Sequence, residues 1–509
     1  MEKGGDLSKN PTLFVHFILD FSDKYDMILK CRKICRKDGG DVQAWEIAAE
    51  LFENAVPKLL EEEEQTWEDN FSVSDFYDQQ ILLQWGSNVP GSGAPERIMV
   101  AAVQAMENRG YRADEETMHL LMEGIAAAKA QDCVSLWQIS SQLNHKLLTM
   151  EKDSDSDYWT YHCYKDFREY EAHVTFPSPQ YINLDSEDFR ERVLAGWLSQ
   201  LIGAAIGTMV EGYTSENLYK AYGRITDYLR RPGTYNDDIT YELAFLKAFH
   251  EKGYDVTSKD IASWWIGLIP AGWSAEELAL RNLRMGILPP ESGTFANPFN
   301  EWIGAQMRGG ICGMVAPGDA RTAAQLAWSD GEISHANNGI FGEVFNAVLT
   351  SLAFVYSDMH TIIETAISVI PEDCEYYSVI RFAHECCLIY DDWHDALAAC
   401  RKRFRRYNWI HAYPNACCEI FALWYGNSDY EKTLEIITMC GYDVDCNAGM
   451  ILPVVAIQRG MSIIPERLIH PDFAELSTYM REARNIKLEE LVDDTLLSIK
   501  KAYERRNVK

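Results

Sequence analysis

GYDVDCNAG, residues 441–449, sets Asp443 and Asp445 one residue apart between an apolar helix over 429–440 and an apolar segment over 448–457. Two carboxylates so close to a core are costly unless cations neutralise them. A second acidic pair, in NDDIT at 236–240, precedes the helical run Ile239 to Phe249. Adjacent carboxylates at helix starts offer hard oxygen ligands on a rigid mount. If folding joins the two clusters, they would hold two divalent ions about 3.5–4 Å apart, the spacing of dinuclear hydrolases. The bland alternative is that Asn236-Asp237-Asp238 only caps its helix and favours the helix dipole.

Outward from these clusters the pattern is helical. Apolar positions spaced for helices recur around 238–251, 319–328, 337–356, 376–390, 412–425, 429–440 and 447–459, and alternating strand patterns are scarce. That predicts an all-α, many-helix bundle. From about 13 to 150 the spacing is also helical, as in Trp45, Ala48, Ala49 and Phe52, with SNVPGSGAPE (87–96) as a loop. The acidic EKDSDSD (151–157) and the paired prolines of FPSPQ (176–180) break it. The expected organisation is a separate, mainly helical N-terminal accessory domain (1–150), a linker (151–185), a catalytic domain (186–465) and terminal helices packed on it (466–509).

Bulk properties narrow the function. In 509 residues, 47% hydrophobic, more than one core is expected. The formal net charge of -30 repels phosphate backbones, so no nucleic-acid surface is expected. Thirteen cysteines, an odd number without a CxxC pair, fit reduced buried thiols in a cytoplasmic protein. The opening MEKGGDLSKN has no apolar run behind its charges, so a signal peptide is not expected. Val193 to Val210 is uncharged and just long enough to span a bilayer. Its Ser199, Gln200, Thr208 and three glycines favour a buried core helix and no membrane partner.

Six segments together resemble the ADP-ribosylglycohydrolase family, over roughly 189–460. NDDIT is similar to the family's Thr-Asp-Asp motif, and GYDVDCNAG to its Gly-Gly-Asp-x-Asp-Thr-x-Ala element. IGAAIGTMVEG (202–212) resembles the opening Gly-x-x-x-Gly-x-x-x-Glu helix. NEWIGAQMRGGICGMVAPGDARTAAQLA (300–327), SDGEISHANNGIFGEVFNA (329–347) and HAYPNA (411–416) resemble the later segments, in family order.

The resemblance implies an orthogonal helical bundle that binds two magnesium or manganese ions. It implies a hydrolase that removes ADP-ribose from a modified protein side chain or small molecule. The matching metal positions are Asn236, Asp237, Asp238, Asp443, Asp445 and Cys446. Asn236 replaces a hydroxyl by a hard carbonyl donor, whereas Cys446 replaces one by a soft sulfur suited to zinc, copper(I) or iron. Cys446 therefore either stands aside for water, the favoured reading, or changes the preferred metal. Catalytic positions are Glu211, Asp238 and Asp445. Substrate-side positions are Gly203, Gly207, Arg308, His335, Asn338, Gly339, His411 and Asn415. The bland readings are helix packing for the glycines, a surface ion pair for Arg308, and a cap or packed ring for His335. Two alternatives stay open: a hydrolase of nucleosides or other ribosides, and an inert crystallin-like module.

Overall fold

A computed structural model describes residues 43–59, 61, 71–234 and 236–508. Twenty-two α-helices among these residues, with only four two-stranded ladders of two or three residues each, make the fold all-α. The chain divides into two compact units, Met1–Asp75 and Phe76–Lys509.

In the first unit the helical spacing around Trp45 is realised as Ala44–Glu53. The Glu46 carboxylate accepts the Gln43 N–H at 2.7 Å, which fixes its first turn. Trp45 and Phe52 are exposed. The helical pattern expected over 13–42 lies outside the described residues.

The second unit is built around a pair of long helices, Glu187–Gly207 and Val444–Arg459, packed along each other. Ser186 caps the first through the Phe189 N–H. The uncharged stretch from Val193 is buried almost throughout. No described helix is long and apolar enough to cross a membrane. Close packing is possible because a Cβ on Gly203 or Gly207 would strike the partner backbone at Ala448 or Asp445. Asn338–Ala353, buried along its whole length, forms a second axis. Ala320–Gly331 and Gly309–Met314 pack against it.

Several local expectations differ from the structure. Residues 87–96 form a small hairpin, Ser87–Asn88 paired with Pro95–Glu96. The last acidic-loop helix starts at Val444 rather than 447, so Asp443 is its N-cap and Asp445 lies in its first turn. The C-terminal segment holds one α-helix, Leu488–Val508, preceded by a hairpin of Glu475–Ser477 and Asn485–Lys487. Polar sequence there hid the short strands, since three residues carry too little alternation to read. The segment 151–185 is tied to later turns by buried phenols: Tyr158 donates to Glu301 at 2.8 Å, Tyr164 to Asp373 at 2.7 Å, and Tyr170 to Val369 O at 2.7 Å.

Candidate active site

Among the described residues, most aspartates at helix starts are ordinary caps. Asp319, Asp358 and Asp429 each accept a backbone N–H three residues on. Asp237 and Asp443 also occupy N-cap positions, yet neither side chain makes a cap bond. At the first helix that duty falls to Asn236, whose Oδ1 accepts the Asp238 N–H at 2.7 Å. The capping alternative thus accounts for Asn236 and leaves both neighbouring carboxylates unexplained.

The two acidic segments meet. Asn236 Nδ2 lies 3.4 Å from Asp445 Oδ2, and Cys446 Sγ donates to Asp238 Oδ1 at 3.6 Å. One ligand atom from each of Asp443, Asp445 and Cys446 falls within 4.8 Å of the others. Glu211 faces the same group. Burial, then Asp445, Asp443, Asp237 and Asp238, pushes its carboxyl well above the usual range. Burial followed by the same neighbours raises Asp238 and Asp443, and takes Asp237 up to about 6. Burial also raises Asp445.

No ion pair among the described residues involves any of these five carboxylates. Asp238 Oδ2, Asp443 Oδ1 and Asp445 Oδ1 are buried without a hydrogen-bond partner. Orphaned acceptors in a like-charged cluster fit divalent cations, which would satisfy the lone pairs and cancel the repulsion.

Backbone geometry sets this arrangement. The glycine helix ends at Gly207, so Glu211 stands in the following turn rather than on a helix face, with its N–H still bonded to Gly207 O at 2.9 Å. Directly after it, Tyr213–Thr214 pairs antiparallel with Gly441–Tyr442, and Gly212 donates to Tyr442 O at 2.8 Å. Gly441 sits at φ 74°, and a Cβ there would land on Tyr213 O. Asn415 clamps the other side. Its Oδ1 accepts the Asp443 N–H at 3.1 Å and Asn447 Nδ2 at 2.7 Å, while its Nδ2 donates to Trp409 O and His411 O.

The remaining candidate residues make the following contacts within the protein. Gly203 and Gly207 serve the close helix approach. Arg308 is buried, and its guanidinium is bonded to Asp330, Glu276 (3.1 Å), Gly304 O (2.6 Å) and Ser334 (3.0 Å), under the Trp265 ring at 4.9 Å. Its donors are spent inside the protein rather than offered to a phosphate. His335 is buried, with Nδ1 2.8 Å from Ser334 Oγ and Nε2 without a hydrogen-bond partner; burial holds its pKa well below the usual value. His411 caps the Ala412–Gly426 helix through Nδ1, and burial holds its pKa down at about 3. Asn338 donates to Glu301 and accepts the Tyr376 N–H. Gly339 packs its missing side chain against Asn300 O.

Sequence reading missed Glu276 and Glu301. Glu276 is buried and raised to about 7 by burial, with Arg308 opposing and Asp237 among the charges acting on it. Glu301 collects Tyr158, Asn337 and Asn338 on one oxygen.

The family model of the ADP-ribosylglycohydrolase matches residues 185–502. The chain belongs to the ADP-ribosylglycohydrolase family. It is therefore a glycohydrolase by family, and the family is generally dependent on divalent metal. An uncharacterized protein of Archaeoglobus fulgidus is 25% identical over 297 residues, covering 55% of this chain and 90% of the relative. Among solved structures, a chain of an "ADP-ribosylglycohydrolase-related protein complex" is similar over 62% of this chain and 99% of its own, at 17% identity and a TM-score of 0.46.

Proposed function

We propose that this ADP-ribosylglycohydrolase-family protein hydrolyses a ribosyl glycosidic bond at a dinuclear magnesium or manganese centre, releasing ADP-ribose from a modified protein side chain or small molecule. The carrying observation is the meeting of a half-buried Asp237 with the buried Asp238, Asp443, Asp445 and Glu211, partly orphaned and without an ion-pair partner among the described residues. When bound, two divalent cations would supply Lewis acidity and a nucleophilic water near neutral pH. Asp237, Asp238, Asp443 and Asp445 would hold them, while Asn236 Oδ1 caps the Asp238 helix and its Nδ2 faces Asp445. Glu211, Asp238 and Asp445 are the carboxylates available to take the proton from water and to face oxocarbenium-like charge at the anomeric carbon. The buried surroundings strengthen each of these interactions.

Asn415 acts as a positioning residue for the Asp443 loop, and the buried Arg308 guanidinium packs against the Tyr241 and Trp265 rings, 5.7 and 4.9 Å from their centroids. We assign residues 1–150 an accessory role. The free cysteines among the described residues support a cytoplasmic setting.

Asp445→Asn should abolish turnover while circular dichroism and the unfolding transition stay near wild type; full activity in that variant refutes the mechanism. A panel of ADP-ribosylated arginine, ADP-ribosylated serine, O-acetyl-ADP-ribose and free nucleosides tests the substrate class. Release of base from nucleosides alone would replace the ADP-ribose reading. Magnesium and manganese titration by calorimetry separates both from an inert module, for which neither ion would bind.

A further inference from the structure

The family hydroxyl that Cys446 replaces belongs to the metal-binding element, and in the structure this sulfur does not turn away from it. Cys446 Sγ lies 3.6 Å from Asp238 Oδ1 and within 4.8 Å of ligand atoms of Asp443 and Asp445. A second sulfur stands behind it, with Met307 Sδ 3.8 Å from Cys446 Sγ. Cys446 and Met307 are 7% and 4% exposed, so little water reaches this corner. A buried corner with two sulfurs on one side and carboxylate oxygens on the other is poorly matched to magnesium. Magnesium wants about six oxygen ligands and retains several waters. Zinc accepts a four-ligand set of thiolate and carboxylate, with sulfur at about 2.3 Å.

We infer that Cys446 makes one of the two cation positions thiophilic: Asp238, Asp443 and Asp445 supply oxygen, Cys446 supplies a thiolate, and zinc is held there in preference to magnesium or manganese. The inference rests on the dinuclear reading of this site and changes the metal at one half of it. On binding, the S–H bond breaks heterolytically; the sulfur keeps the electron pair and donates it to the cation, and the proton leaves to solvent. Met307 backs the thiolate and keeps water from taking its place.

The test uses the full chain, stripped by chelator and titrated with cobalt(II) as a spectroscopic substitute for zinc. A thiolate-to-cobalt charge-transfer band in the near ultraviolet should grow in with one equivalent, and zinc should bleach it whereas magnesium does not. Cys446→Thr, which restores the family's hydroxyl, should lose the band and weaken zinc by about 100-fold or more, the upper range for disturbing a metal's surroundings. Its magnesium affinity should stay near wild type or rise. Cys446→Ser serves the same purpose if the threonine variant does not fold. Cobalt bound without the band, or a band that survives loss of Cys446, overturns the inference while leaving the dinuclear site standing. Failure of cobalt, zinc, magnesium and manganese all to bind the wild-type chain overturns both.

Discussion

Replacing Gly207 by Ala would force apart the two helices that bring Asp445 into the site. A Cβ at 207 would lie 2.5 Å from the Val444 carbonyl carbon, with Asp445 N and Cα nearer still. Ordinary contact begins at 3.4 Å, so the backbones must part by at least about 0.9 Å, and no flexible side-chain end is there to yield. Overpacking of this kind costs about 1–3 kcal/mol. Alanine's helical advantage of about 1 kcal/mol is muted because Gly207 is the last residue of its helix. A carboxylate misplaced by about 1 Å costs about 100-fold in turnover. Gly449 supplies the control, since a Cβ there meets nothing nearer than 3.8 Å and its helix continues to Arg459. Urea unfolding and manganese calorimetry on both variants should give a destabilised Gly207→Ala with about 10- to 100-fold weaker manganese. Gly449→Ala should be as stable as wild type or more so, with unchanged binding. Wild-type stability and manganese affinity in Gly207→Ala would refute the claim that this glycine sets the position of Asp445.

Asn415→Ala should strand the buried Asp443 N–H, cost about 1–3 kcal/mol in denaturant unfolding, and weaken manganese in calorimetry; unaltered binding would remove Asn415 as a positioning residue. Arg308→Ala should leave Asp330, Glu276 and Glu343 without their cation and cost about 3–5 kcal/mol by the same unfolding measurement. Unchanged stability with weakened ADP-ribose binding would return Arg308 to the substrate. For pH, the five site carboxyls all have folded values raised by burial first and then, for Glu211, Asp237, Asp238 and Asp443, by one another. The metal-free fold therefore favours their protonated forms. That contribution is complete below the unfolded values near pH 4 and is lost as pH rises through about 6, where Asp237 titrates, and beyond. The Tm difference between manganese-loaded and chelated protein should widen from pH 4 to pH 7, and a constant difference would contradict it.

The long helices were legible because apolar residues at three- and four-residue spacing leave one face to bury. The expected 238–251, 412–425 and 429–440 correspond to Asp238–Lys252, Ala412–Gly426 and Tyr430–Cys440. Asp443 and Asp445 drew attention because they stand where a core would otherwise exclude charge, but it was the family resemblance, not spacing, that joined them with Asn236–Asp238 and Glu211. The Arg308 cluster could not be seen. Glu276 lies in the first turn of Ser274–Arg284, where an acid usually meets solvent and the helix dipole. Its burial depends on Gly304, far along the chain, whose missing side chain makes room for its carboxylate. Arg308 reads locally as a surface cation for the same reason, because its partners Asp330 and Glu343 come from two other helices. The role of Asn415 was hidden in the same way, since it holds a backbone N–H that only tertiary folding delivers.

The two-residue ladder between Tyr213–Thr214 and Gly441–Tyr442 restricts insertions and deletions on either side of it. Glu211 and Asp443 each sit at a set count of residues from that clasp, so one added or deleted residue on either side would turn an acid out of the centre. Tyr213 and Thr214 add side-chain bonds of their own, Tyr213 donating to Ser92 O at 3.1 Å and Thr214 accepting the Asn217 N–H at 3.3 Å, so the clasp is tied to its neighbours as well as to its partner strand. A loop length altered here would therefore be felt at the metal-binding acids before it was felt in the packing of the long helices.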